Sequence, residues 1–403
     1  MKLGLEIIES LYNDLSEKIK TNEEHLTFFT LVCVKIIFIH RNAGTILDAE
    51  YYFFVLFHVL DRKKTTSIFS QSLYTFMAFC LDELSQAKHK LCQFKESLVF
   101  SKMALEYINA INQHLLSNVI PISHVIQHCA NYHDEIGLKD EAFEYYKQAI
   151  AELDLLDQTD QNVIFRKAGI LFDYGIAMYH LDILKSEKIL YDSVCLYQQL
   201  YDEKNNVAIQ YADAEQALAN IYDDTKRFSE AEKHYRSSIH VLEDFSDELA
   251  QHRLGVALNN YGIMLIKQNR FDEAKKVLLH SRDIRLKSDP YGVKCTDESL
   301  YKLALCEGKY EDAYTYLKEI LEIQEKYGVM ECNMLNEFTN YTDVFVQICL
   351  EINKIKEAQL AYKKIYDLIC NIPKENMTEE MYENKKTITE RIISIFKTTD
   401  FLK

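Results

Sequence analysis

Two stretches of the same pattern decide the fold. Residues 217–239 read ALANIYDDTKRFSEAEKHYRSSI, and residues 256–281 read VALNNYGIMLIKQNRFDEAKKVLLHS. Each predicts a helix rich in small and apolar residues, a short turn of basic and polar residues, and a second helix. An aromatic residue opens each second helix and an alanine follows three residues later: Phe228 with Ala231, and Phe271 with Ala274. Antiparallel helices approach closely only where side chains are short, so we expect Ala219 or Gly262 to face these alanines.

The same pattern recurs through most of the chain. Near the start of each second helix stands a small residue, and successive small residues are 45, 44, 45, 43, 39 and 45 positions apart. These residues are Ser97, Ala142, Ser186, Ala231, Ala274, Ala313 and Ala358. A register held over seven units predicts a repeat protein.

The sequence predicts an all-α protein, a right-handed superhelix (α-solenoid) of about seven helix-turn-helix repeats with helical caps. Only ten Gly and three Pro among 403 residues leave few breaks for strands and tight turns. We expect three regions. Residues 1–75 form an N-terminal helical block, either a degenerate repeat or a small bundle. Residues 76–375 carry the repeats, and residues 376–403 form a C-terminal capping helix.

The spacing resembles the tetratricopeptide (TPR) repeat, and the superhelix is therefore expected to be TPR-like. Leu-Asn-Asn at 258–260 is similar to the longer repeats of kinesin light chains. The TPR unit usually has about 34 residues and a closing proline, and neither is found here. Both departures indicate longer helices. The plan of a helical N-terminal block followed by about seven long repeats is also similar to the Rap family of peptide-sensing regulators.

Composition argues against several kinds of partner. The formal net charge is −16, so a nucleic-acid backbone would be repelled. The apolar run 26–39 is shorter than a bilayer-spanning helix and contains Lys35, so we expect no membrane partner. The ten cysteines are scattered without a C-x-x-C pair, which indicates buried thiols in a reducing compartment. We therefore expect a cytoplasmic protein; the oligomeric state stays open.

No catalytic or cofactor-binding motif is present, so we expect neither an enzyme nor a bound cofactor. The nearest approach to a metal site is His124 with His128, four residues apart and hence on one helix face. The sequence identifies no third ligand, and Cys129 and His133 occupy packing positions. The expectation is that no metal is bound.

Under the TPR resemblance, peptide contacts come from two first-helix positions four residues apart. These positions are Gln127 with Asn131, Gln216 with Asn220, and Asn259 with its neighbour Asn260. A side-chain amide can pair with both groups of a peptide bond, so a row of them could hold an extended peptide. Equally, these amides could be ordinary solvated residues of the concave surface. The flanking repeats offer Asp82 with Gln86, Glu298 with Lys302, and Asp343 with Gln347. A clamp for a terminal carboxylate needs Lys and Arg at these positions and is not expected.

The predicted function is a non-enzymatic scaffold or adaptor that binds a protein or peptide segment in its concave groove. The alternative is a peptide-gated bacterial regulator of Rap-like architecture, which binds a signalling peptide and controls a partner protein. Rap phosphatases act through a Gln in the N-terminal bundle. Residues 1–75 contain one Gln, Gln71, with no matching motif around it.

Overall fold

The structure, a computed structural model, is all-helical over the part of the chain that it describes. This part comprises residues 78, 81–86, 88–89, 93–109, 119–201, 207–327, 332–370 and 379–397. The predicted N-terminal block at 1–75 lies outside it. The helices are α1 Phe94–Asn109, α2 Val119–Glu135, α3 Lys139–Asp154, α4 Gln161–Met178, α5 Ile183–Leu200, α6 Ala208–Asp224, α7 Phe228–Glu243, α8 Glu248–Lys267, α9 Phe271–Ser288, α10 Val293–Cys306, α11 Tyr310–Tyr327, α12 Cys332–Glu351, α13 Ile355–Cys370 and α14 Glu379–Phe396.

Consecutive helices pack in pairs, as the repeat pattern predicted. The pairs are α2 with α3, α4 with α5, α6 with α7, α8 with α9, α10 with α11, and α12 with α13. The helical residues 81–86 stand before α1 in the same way, and Ser85 Oγ donates to the backbone oxygen of Ser97 at 2.6 Å. We call the earlier helix of each pair the first helix and the later one the second helix.

The small residues of the repeat lie at the packing surface of every pair. All seven, from Ser97 to Ala358, are completely buried. Tyrosine or leucine one turn later fills the space beside them in most units; Tyr146 and Tyr235 are at most 2% exposed. Close-packed interiors tolerate neither extra volume nor voids at such points, which is why the register repeats so strictly.

Glycine allows the closest helix approaches. A Cβ added at Gly262 would lie 2.5 Å from Leu278, and one added at Gly175 would lie 2.5 Å from Leu190. Leu278 and Leu190 stand four residues after Ala274 and Ser186. Gly262 therefore contacts the residue one turn beyond the alanine that the sequence pattern pointed to.

The turn of most hairpins contains one residue with a positive φ. These residues lie five positions before the small residue and are Gly137, Lys226, Asn269, Gly308 and Asn353. Around Lys226 the backbone N–H bonds to Asp223 O, and the N–H of Arg227 bonds to Tyr222 O. This Schellman pattern satisfies the last carbonyls of the first helix.

The chain divides into two compact units, Met1–Ala214 (unit 1) and Glu215–Lys403 (unit 2). The predicted region boundaries at 75 and 375 fall outside the described residues and stay predictions. In unit 2 the short 39-residue interval follows from α10, which has only 14 residues. The final helix α14 lies where the capping helix was predicted, and its Ile388 and Ile392 are buried in the core of unit 2.

Candidate functional site

In unit 1 the two predicted amides on α2 converge on one carboxylate of α4. Gln127 Nε2 donates to Asp173 Oδ2 at 2.7 Å, and Asn131 Nδ2 donates to the same oxygen at 2.9 Å. Burial raises the pKa of Asp173, and the two amide hydrogen bonds oppose that rise. Gln127 and Asn131 thus join neighbouring first helices, and their donors are engaged.

The acceptor atoms of these first-helix positions are used within the hairpin. A buried tyrosine of the second helix donates its hydroxyl to the first helix in three repeats. The pairs are Tyr146 to Asn131 (2.5 Å), Tyr235 to Asn220 (2.7 Å) and Tyr362 to Asp343 (2.8 Å). Burial raises the pKa of Tyr146 and of Tyr362, to about 12 for Tyr362, so these two hydroxyls stay protonated donors. This bond fixes the rotamer of the first-helix side chain.

In unit 2 the predicted amides form fewer hydrogen bonds with other described residues. Asn259, 6% exposed, accepts a hydrogen bond from Ser299 Oγ of α10 at 3.0 Å. Gln216 and Asn260 are half-buried, and neither side chain bonds to another described residue. The Nδ2 of Asn220 likewise has no acceptor among the described residues, while its Oδ1 is taken by Tyr235. Three half-buried amides therefore keep unused donors.

The flanking positions are paired internally. Gln86 Nε2 donates to Asp82 Oδ2 at 2.9 Å in unit 1. In unit 2, Lys302 Nζ donates to Glu298 at 2.7 Å, and the hydroxyl of Tyr341 donates to the other Glu298 oxygen at 2.8 Å. These charges are balanced within the chain.

The structure adds a third donor to the histidine pair of α2. The ligand atoms of Asp82, His124 and His128 all lie within 4.8 Å of one another. Cys129 and His133 are buried, and a His133 ring nitrogen, Nδ1, lies 2.7 Å from the backbone oxygen of Cys129. Burial raises the pKa of the Cys129 thiol to about 11, so it is a packing residue and not a reactive thiolate.

Sequence reasoning missed the polar bonds between neighbouring repeats. Most of them join residues 37 to 46 positions apart, close to the repeat length. Examples are Lys267 Nζ to Asp223 at 2.6 Å and Lys294 Nζ to Glu337 at 2.9 Å. In the sequence, the signal for these bonds would have been a hydrogen-bond donor and an acceptor side chain one repeat apart. Thirteen His and 108 charged residues, however, supply many such coincidences.

These features define a class: an all-α, TPR-like helical repeat protein with polar first-helix positions. No protein-family model and no curated protein sequence matches the chain. The likeness to solved structures is one of fold. Within the described residues no helix combines the length and apolarity needed to span a membrane.

Three solved structures show this likeness. The apo form of RapI has 11% identity and a TM-score of 0.58, covering 96% of this chain and 99% of that one. A signal transduction ATPase (STAND) protein with a tetratricopeptide repeat sensor, PH0952 from Pyrococcus horikoshii, has 10% identity and a TM-score of 0.57. That match covers 95% of this chain and 55% of the STAND protein, so this chain spans just over half its length. BtubC (BKLC) from P. vanneervenii has 16% identity and a TM-score of 0.51, covering 58% of this chain and 92% of that one. The TPR-like fold predicted from the spacing is confirmed.

Proposed function

We propose that this chain is a non-enzymatic scaffold that binds an extended protein or peptide segment along its first helices. One observation carries the proposal: Gln216, Asn220 and Asn260 are half-buried, lie on first helices of consecutive repeats, and keep side-chain donors that no described residue accepts. Gln216 lies 15 residues before Ala231 and Asn260 lies 14 residues before Ala274, so the two amides stand on neighbouring first helices one position apart in the repeat register. Unused donors on consecutive first helices are what a repeating ligand, a polypeptide backbone, requires.

The chemistry of the amides favours a peptide bond as the ligand. Gln216 and Asn260 can each donate to a carbonyl and accept from an N–H. Asn220 serves mainly as a donor, because the Tyr235 hydroxyl already occupies one lone pair of its oxygen. Half-burial strengthens such bonds, since competing water is partly excluded. Asn259 supports the arrangement by holding α8 to α10 through Ser299.

Gln127 and Asn131 hold the matching positions in unit 1, and we propose that they contact ligand there. One N–H of each of these amides is already bonded to Asp173, so a ligand competes with that carboxylate. The exchange of one hydrogen bond for another gains little free energy, so we expect these two residues to contribute less than the unit 2 amides.

The net charge and the lack of a basic pair at the first-helix positions limit which kind of partner can bind. A net charge of −16 disfavours nucleic acid, and the first-helix positions lack the Lys and Arg pair that would clamp a free carboxylate. We therefore propose an internal, backbone-recognised segment of a cytoplasmic protein or peptide, bound without a cofactor. In the STAND protein the TPR repeats are described as a sensor, which supports a binding role for this fold.

The test uses a random peptide array probed with the full chain. A selected peptide is titrated against wild type and the double variant Gln216→Ala/Asn260→Ala. Neither side chain bonds to another residue in the described part of the chain, so the fold should be preserved. We expect each lost amide to weaken binding by about 1–3 kcal/mol.

The matched control is Gln198→Ala/Gln199→Ala, which removes two exposed amides from the second helix α5. It should bind the peptide like wild type. Selection of no peptide, or equal affinity of the two double variants, would show that these amides hold no ligand.

A peptide-gated regulator of Rap-like architecture is the second candidate. It is favoured by the match to RapI, which covers 96% of this chain and 99% of that one. In this case peptide binding would change the action of the chain on a partner protein.

A further inference from the structure

We propose that Asp82, His124 and His128 form a binding site for a divalent first-row transition metal ion in unit 1. The site lies between two neighbouring first helices, the helical residues 81–86 and α2. It is independent of the unused amides of unit 2. Two imidazole nitrogens with one carboxylate oxygen are a donor set for such ions, Zn²⁺ and Co²⁺ among them.

The three donors already converge. His128 Nδ1 lies 2.9 Å from Asp82 Oδ1, and the rings of His124 and His128 have centroids 4.1 Å apart. Two ligands of one ion, each about 2.0–2.2 Å from it, are about 2.9–3.4 Å apart. The whole set lies within 4.8 Å, so small side-chain rotations bring all three donors onto one ion.

The surroundings support the donors. Asp82 is 2% exposed, so its carboxylate gains from a cation that replaces lost water. Gln86 donates to Asp82 Oδ2 at 2.9 Å, which fixes the carboxylate as outer-shell partners of metal ligands do. Burial lowers the pKa of His124 to about 3, so this ring keeps its lone pair at neutral pH.

One nearby charge opposes the ion. Arg166 of α4 lies close enough to lower the pKa of His124, and its buried Nε has no hydrogen-bond partner among the residues that the structure describes. Asp173 on the same helix partly offsets this charge. Removing the charge of Arg166 should therefore tighten metal binding, an effect that a purely structural role of the cluster would not produce.

The experiment titrates the full chain with Co²⁺ and follows its d–d absorption, with Zn²⁺ added afterwards as competitor. We expect one tight equivalent without a strong thiolate charge-transfer band, because the site contains no cysteine. Asp82→Asn keeps the side-chain shape, and His124→Ala removes a ring; each should weaken Co²⁺ binding by at least about tenfold. Arg166→Gln should strengthen it.

The control is His89→Gln. His89 pairs with Glu135 of α2 but is not one of the three donors. It should bind Co²⁺ like wild type, and circular dichroism should show that every variant is folded. The proposal is overturned by no d–d band up to about 1 mM Co²⁺, by a thiolate band that survives in His124→Ala, or by equal loss in His89→Gln.

Discussion

At the residue scale, the hairpin turns place lysine and asparagine where glycine is the least strained choice. Lys226 has φ 60°, and the equivalent Gly137 and Gly308 have φ 86° and 69°. An L-residue in this left-handed conformation is disfavoured by roughly 1–2 kcal/mol, whereas glycine adopts it freely. Lys226 is exposed, so its side chain contributes little packing.

We therefore expect Lys226→Gly to raise the free energy of unfolding by about 0.5–1 kcal/mol. Urea denaturation followed by circular dichroism measures it. The reverse change, Gly137→Ala, should lower stability by about 1 kcal/mol; an added Cβ there meets no atom within 4 Å, so only the backbone conformation is tested. A loss of stability in Lys226→Gly would refute this reasoning.

At the element scale, two glycines on the same helix separate helix propensity from interhelical packing. Gly175 and Gly169 both lie in α4, where replacing glycine by alanine favours the helix by about 0.8–1 kcal/mol. A Cβ at Gly175 would lie 2.5 Å from Leu190 Cγ and 3.4 Å from its backbone nitrogen. At Gly169 the nearest atom is the hydroxyl of Tyr197, at 3.3 Å.

Gly175→Ala should consequently lower the thermal midpoint, because overpacking costs about 1–3 kcal/mol and exceeds the gain in propensity. Gly169→Ala should leave the midpoint unchanged or raise it. Differential scanning calorimetry compares the two variants with wild type. Equal effects of both substitutions would show that α4 and α5 are not closely packed at Gly175.

The helix pairs were predictable because their signal is local and recurrent. A small residue such as Ala231, an aromatic three residues before it and a polar turn all lie within one hairpin. For the candidate site, the sequence predicted which residues lie on the first helices but not which residues they contact. That Gln127 and Asn131 share Asp173 depends on the contact between α2 and α4, and that Asp82 joins the two histidines depends on contact across a whole repeat. Residue spacing alone does not select these partners from the many charged side chains one repeat away.

At the scale of the whole molecule, a repeat array has mainly nearest-neighbour contacts. In unit 2, α8 contacts α9, α7 and α10. A peptide that bonds to several first helices at once adds contacts between repeats, so its binding should draw them together. This provides the physical means by which a peptide could gate the chain, as the second candidate function requires.

Small-angle X-ray scattering distinguishes the two candidates. With a peptide selected from the array at saturation, a peptide-gated regulator should show a smaller radius of gyration than the free chain. The variant Gln216→Ala/Asn260→Ala, given the same peptide concentration, should keep the free value because binding is weakened. An unchanged radius in wild type with peptide bound would exclude gating by compaction and leave the scaffold as the function, since a preformed surface binds its ligand without moving.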